Sequence, residues 1–334
     1  MNCNQEAFVV RAKIISTGYY LPKKVLSNKD LEKMVDTTDE WITKRTGIKE
    51  RHIAGDNEAS SDMGVKAAES ALAKANLSAL DIDGIICATI TPDHFFPSTA
   101  CIIQKKMGCK NAFALDLSAA CSGFIYALSF AESLLLGGKA KTLLVIASEK
   151  LSAITDWTDR STCVLFGDAA GAAVLKNEEG ESGILGSHLG ADGSLGELLM
   201  IKAGGSRFPA SSDTIKNREH FLSMKGNEVF KVAVHRMIES GKKALDNAGL
   251  KSEDIKLVIP HQANLRIIDA ISKRLKLKKE QVFINLDKTG NTSAATIAVG
   301  LSEAEEKGLL KKDDIIVLTS FGGGFTWAGM VIRW

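Results

Sequence analysis

Cys121 stands in the stretch DLSAACSGFIYAL, residues 116–128, between a turn of small residues and an apolar run. Phe124, Ile125, Leu128, Ala131 and Leu135 recur at helical spacing behind it, and Gly137-Gly138 closes the run. The pattern predicts a helix with Cys121 in its first turn. Unpaired N–H groups and the helix dipole there favour a thiolate, which lowers a thiol's pKa and makes it a nucleophile. A small apolar residue packed beside two alanines fits the same placement. His261 lies just past the apolar stretch LVIP, at the carboxyl end of a predicted strand, where α/β folds assemble their sites. The other histidines, His52, His94, His188, His220 and His235, have no such placement; His235 sits in the helical pattern NEVFKVAVHRMIESGKKAL as a surface residue. Asn291, in GNTSAATIAVGL, occupies a helix-capping position. It is either a cap without chemistry or a carboxamide that meets Cys121 across a pseudo-twofold axis. In SFGGGFTW, residues 320–327, a tight turn needs one glycine; three leave backbone N–H groups free to approach a substrate, as an oxyanion hole requires.

The elements that carry these residues repeat once along the chain. ALAKANLSALDIDGII (71–86) resembles ALDNAGLKSEDIKLVI (244–259), with Asp81 over Asp254, an offset of 173 residues. LLVIAS (143–148) lies over IIVLTS (315–320), offset 172. Each half reads as helix, turn, buried strand, loop, helix and second buried strand. Continuous apolar strands such as GIICATI and TLLVIAS suit a sheet covered on both faces, built from parallel βα units. A single long repeat implies a duplicated α/β domain, with halves at residues 1–178 and 179–334. The Gly- and Ser-rich segment 178–225 reads as a loop-rich linker and pocket wall.

Bulk composition narrows the classes. Of 334 residues, 45 % are hydrophobic and 25 % charged, enough for a large core without staples. The net charge of +2 sets up no field for nucleic acid or a membrane surface. Neither a secretory signal nor an apolar run near the ~20 residues of a membrane span is present in the sequence, so a cytoplasmic protein is expected. Cys3, Cys87, Cys101, Cys109, Cys121 and Cys163 form no CxxC pair and lie at no metal spacing, so reduced thiols and no metal site are expected.

Together, DEWITKRTGIKERHIA, AACSGF, GDAAGAAVL, PHQAN, GNTSAA and SFGGGFTW, in that order from about residue 12 to Trp334, resemble the β-ketoacyl-acyl carrier protein synthase III family, the initiating condensing enzymes of type II fatty acid synthesis. The resemblance implies a thiolase-like α/β fold, two halves in a five-layer αβαβα sandwich, forming a homodimer. It implies a catalytic triad of Cys121, His261 and Asn291, with the oxyanion met by the N–H groups of Cys121 and Gly323. It implies coenzyme A bound by Trp41 and Arg160 around the adenine, Thr37 and Arg45 nearby, and Asn264 at the pantetheine end. Phe96 matches the residue that reaches into the partner's acyl pocket. Arg266 matches a carrier-protein docking position, and Lys231 adds to it. The implied reaction is acylation of Cys121 by an acyl-CoA, acetyl-CoA being the expected primer. Decarboxylative condensation with malonyl-acyl carrier protein follows, without metal or redox cofactor.

Departures from sister families are legible too. A thiolase would carry a second cysteine where Ser320 stands, and an elongating condensing enzyme a second histidine at Asn291; chalcone-synthase-like chains are longer. A synthase-III-like acyltransferase of polyketide or quinolone-type metabolism fits almost as well. A non-catalytic carrier-binding scaffold would have no need of all three triad residues.

Overall fold

In the computed structural model, which describes residues 9–334, two mixed sheets carry the fold. The first holds β1 (Val10–Tyr20), β2 (Gly84–Ala88), β3 (Phe113–Leu117), β4 (Thr142–Glu149) and β5 (Ala169–Glu179), in the order β1-β5-β4-β2-β3. β3, β2 and β4 run parallel, and β5 and β1 continue the sheet antiparallel. The second holds β6 (Gly183–Ala191), β7 (Leu257–Pro260), β8 (Ile315–Gly322) and β9 (Thr326–Arg333), in the order β6-β9-β8-β7. Beyond β7, Val282 makes a parallel bridge to Val258 where the first sheet has a full strand. Strand order is therefore duplicated, as the repeat predicts, and in each sheet the expected parallel βα strands are joined by antiparallel ones.

Six helices matter for the site: α1 (Asp39–Thr46), α2 (Ser60–Ala75), α3 (Gly123–Leu136), α4 (Gly226–Asn247), α5 (Leu265–Arg274) and α6 (Ala295–Glu306). α2 covers the outer face of the first sheet and α4 that of the second, while α3 and α6 lie between the sheets. The result is five layers, αβαβα. Phe124, Ile125, Leu128, Ala131 and Leu135, the stripe read from the sequence, are all fully buried in this middle layer. Such burial contributes roughly 1.5–3 kcal/mol for each large apolar side chain.

Strand β5 escaped the sequence reading because its residues are small. β5 opens Ala-Ala-Gly-Ala-Ala, and a Cβ on Gly171 would lie 2.4 Å from that of Ala298 in α6. Close helix packing removes the bulky β-branched residues by which a strand is recognised. The segment 178–225 is likewise more than linker: β6 is a complete strand of the second sheet.

Candidate active site

Cys121 lies in a 3₁₀ turn, Ala120–Ser122, that runs from β3 into α3. The turn's hydrogen bonds go from Ser122 N–H to Ala119 O and from Gly123 N–H to Ala120 O, so the Cys121 N–H takes no part in it. Ala120 holds φ +45°, an unusual conformation for a residue with a side chain. Opposite stands the glycine turn after β8. A Cβ on Gly322 would lie 2.5 Å from the Cys121 nitrogen, so only glycine lets the two backbones approach this closely. Thr326 laces the two segments: its hydroxyl donates to Ala119 O at 2.7 Å, and its carbonyl accepts from Ser122 Oγ at 3.2 Å.

The thiol differs from the sequence expectation. α3 begins at Gly123 with Ser122 as its cap, which leaves Cys121 one residue short of the helix proper. Burial pushes the thiol up to about 12; the Ser293 hydroxyl beside it pulls the other way, and the Glu149 carboxylate adds to the rise. Desolvation outweighs the helix start. The resting thiol therefore holds its proton.

His261 follows β7, its N–H donating to Thr319 O across the parallel pair. The ring is 2 % exposed, and burial alone drives its pKa down to about 3, so the imidazole is neutral. Nδ1 is buried without a partner. A proton on Nδ1 would be an unpaired buried N–H, so the ring proton belongs on Nε2.

Asn291 does not cap a helix. α6 begins at Ala295 with Ala294 at its cap, and Asn291 instead bridges to the first half: its N–H donates to Leu165 O, and its carbonyl accepts from Gly167 N–H. Its side-chain oxygen accepts from Ser293 N–H at 2.9 Å, which leaves the NH2 end for the cavity that Asn291 lines. Arg51, fully buried, steadies this crossing by donating to Val164 O, Leu26 O and Asn28 Oδ1.

Cys121, His261 and Asn291 line one cavity of about 420 Å³, with Ser293 and Gly323. Ile90, Leu165, Phe166, Leu199, Leu222 and Met224 make its walls apolar, so the 178–225 segment does form pocket wall. Asn264 is also at the cavity, and its Nδ2 donates to Arg45 O at 3.2 Å. Trp41, Arg45 and Arg160 form a separate cluster outside it: the guanidinium of Arg160 lies 5.1 Å and that of Arg45 5.6 Å from the Trp41 ring centre. Thr37, four residues before Trp41, keeps a buried hydroxyl without a hydrogen-bond partner. Arg266 is exposed, its guanidinium 5.5 Å from the ring of Phe230, a cavity-lining residue of α4, and Lys231 is exposed beside Phe230 on the same helix. Phe96 does not line this chain's cavity; it is 86 % exposed, next to Phe95 at 85 %.

Sequence reasoning missed Ser293 and Glu149. Glu149 ends the fully buried strand β4 and is itself buried, and a carboxylate at the carboxyl end of such a strand is the signal that marks it. Cys3, read as a reduced thiol, lies outside the described residues; Cys87, Cys101, Cys109, Cys121 and Cys163 are free. Among the described residues no cluster of histidine, cysteine and carboxylate side chains is arranged to hold a metal ion, and no helix is long and apolar enough to cross a membrane.

Residues 115–193 match the family model for 3-oxoacyl-[acyl-carrier-protein] synthase III, and residues 245–334 match its C-terminal model. The beta-ketoacyl-[acyl-carrier-protein] synthase III of Caldanaerobacter subterraneus is 56 % identical over 97 % of this chain and 98 % of its own length. The chain belongs to the β-ketoacyl-acyl carrier protein synthase III family. The crystal structure of the synthase III from Aquifex aeolicus agrees, with a TM-score of 0.90, 52 % identity, and cover of 97 % of this chain and all of that one. A priming β-ketosynthase from the R1128 polyketide pathway shares the fold at TM-score 0.90 with 34 % identity, over 97 % of this chain and 96 % of its own. As a synthase III family member, the chain is a condensing acyltransferase of fatty acid biosynthesis with the thiolase-like fold.

Proposed function

We propose that this enzyme joins an acyl-CoA primer, acetyl-CoA first among them, to malonyl-acyl carrier protein, through an acyl group held on Cys121. The observation that carries this reading is the convergence of Cys121, His261 and Asn291, from three separate loops, on one apolar cavity. In the first half-reaction the sulfur attacks the thioester carbonyl and coenzyme A departs as a thiol. The N–H groups of Cys121 and Gly323 face the oxyanion, the first because the 3₁₀ turn makes no use of it. In the second, the malonyl thioester loses CO2, and negative charge gathers on its carbonyl oxygen. The His261 Nε2–H and the Asn291 NH2 donate there, where charge develops in the transition state. The resulting carbon nucleophile attacks the acyl-Cys121 carbonyl, and the β-ketoacyl group leaves on the carrier. The thioesters supply the reactivity, so the scheme needs no metal or redox cofactor.

Trp41, Arg160, Arg45 and Thr37 are the seat of the nucleotide end of coenzyme A. Arg160 rests on Trp41 directly, so a base entering between them displaces the guanidinium. Asn264, touching both Arg45 and the cavity, marks the path of the pantetheine arm. Arg266 and Lys231 present positive charge to an acidic carrier at the mouth, speeding encounter more than tightening it. Phe96 and Phe95 are an apolar pair that a second subunit would cover, the basis for reading a homodimer in which Phe96 enters the partner's acyl pocket. The two catalytic lobes are residues 1–178 and 179–334.

Mixing the enzyme with acetyl-CoA and recording intact mass tests the reading. An acetyl adduct absent from Cys121→Ala is expected; no adduct on the wild-type chain refutes it. Turnover over straight, branched and medium-chain acyl-CoA primers then separates a fatty acid starter enzyme from one supplying polyketide or quinolone-type metabolism.

A further inference from the structure

With its ring proton on Nε2, neutral His261 offers the cavity a donor and no lone pair, while the Cys121 thiol holds its own proton. The acylation step therefore needs another acceptor. Glu149, fully buried at the end of β4, is the carboxyl that neighbours this site. Its oxygens accept from Thr91 Oγ1 at 2.7 Å, from the Ile90 N–H at 3.2 Å and from Thr89 Oγ1 at 3.3 Å. These fix the carboxylate without neutralising it.

Ser293 lines the cavity with Cys121 and neighbours Glu149 as well. Its hydroxyl is near enough to lower the pKa of both groups, yet it completes no hydrogen bond and is 1 % exposed. The residue sits at φ +49°, a left-handed conformation that a serine rarely adopts, and it lines the cavity beside the thiol. A buried hydroxyl that neighbours both an acid and a thiol, unsatisfied at rest, is the arrangement of a proton shuttle.

We propose that Glu149 is a positioning residue of the first half-reaction, drawing the Cys121 thiol proton toward itself through the Ser293 hydroxyl. The S–H bond breaks as its proton passes to Ser293 Oγ, and the serine's own proton passes to the carboxylate. The sulfur's electron pair forms the bond to the thioester carbonyl. When the tetrahedral intermediate collapses, the proton returns by the same hydroxyl to the departing coenzyme A sulfur. Burial, the largest influence on Glu149, pushes its carboxyl up to about 7, so it accepts a proton near neutral pH. The groups around it leave that titration undisturbed by any cation. Thr89, Ile90 and Thr91 are neutral, and Cys87, with Asp116 and Asp93 behind it, is a buried thiol held well above its ordinary value. The adjacent Lys150 points away, to the carbonyls of Gly55 and Glu58 at 2.8 Å.

The inference rests on Cys121 as nucleophile, and one experiment separates the two. Single-turnover acetylation of the full chain by acetyl-CoA is followed by intact mass from pH 5.5 to 9, for wild type, Glu149→Gln and Ser293→Ala. In the wild type the rate rises to a plateau through an inflection near pH 7. Both variants are expected to lose that inflection and to acylate at least tenfold more slowly at pH 8, with the acetyl-CoA concentration for half-maximal rate unchanged. An inflection kept in both variants overturns the shuttle, as does a slower rate with an unaltered pH profile. Should Glu149→Gln lose its native circular dichroism, Ser293→Ala decides alone. Failure of the wild type to form any adduct at Cys121 instead refutes the nucleophile reading itself.

Discussion

In the first half the chain passes from β4 to β5 through residues 150–168; in the second it turns from β8 to β9 in three residues, Gly323, Gly324 and Phe325. The long connection carries Arg160 against Trp41, and Leu165 and Phe166 into the cavity wall. The short one presses bare backbone against Cys121. The strands leading into them differ at one telling place: when LLVIAS is laid over IIVLTS, Glu149 falls on Phe321. Both halves thus keep one strand order, which buries the same kind of core, and differ where strands end. On the proposed reading, one half supplies nucleophile, buried acid and nucleotide seat; the other supplies imidazole, carboxamide and glycine turn. Duplication fixed the scaffold, and the strand ends were free to diverge because loop changes disturb the packed layers little.

Substitutions at those ends test the division. If Asn291 has the role proposed for it, Asn291→Ala removes a donor to the developing charge; condensation should fall about 10²- to 10³-fold while self-acylation persists, read by product formation and intact mass. Survival of both activities would remove Asn291 from the chemistry. Glu149→Gln asks whether the buried acid burdens the first half. The folded carboxyl keeps its proton to about pH 7 against an ordinary value of 4.5, so its contribution to stability is complete below pH 4.5 and is lost as pH rises through 7. Glutamine carries no such loss. The stability of Glu149→Gln relative to wild type should therefore increase by roughly 3 kcal/mol between pH 4.5 and pH 8, measured by urea denaturation at both ends.

Gly322→Ala forces a methyl against the Cys121 nitrogen. A loss of about 1–3 kcal/mol in unfolding free energy is expected, with slower acylation; an unchanged denaturation midpoint would mean the glycine turn tolerates side chains as the long connection does. The smallest effect belongs to the rim. Arg266→Glu should slow transfer to malonyl-acyl carrier protein about tenfold at low salt and far less at high salt, leaving acetylation by acetyl-CoA unaltered. Equal slowing at both salt concentrations would argue against electrostatic docking.

The duplicated βα pattern, the buried stripe of α3 and the residues that converge on the cavity were legible because periodicity and strand ends are local properties of the chain. The strand β5 was not legible, since glycines and alanines such as Gly171 and Ala172 serve close helix packing and erase the strand signature. Asn291 reads locally as a cap, but its backbone is claimed by Leu165 and Gly167, more than a hundred residues away. The sequence by itself determined which side chains have the chemistry: a thiol, an imidazole, a carboxamide and a run of glycines, set at the ends of strands. Only the tertiary structure decided their protonation and their company. Desolvation by the whole fold keeps the thiol protonated and the imidazole neutral, and the fold brings Glu149 and Ser293 close to Cys121, which no spacing along the chain encodes.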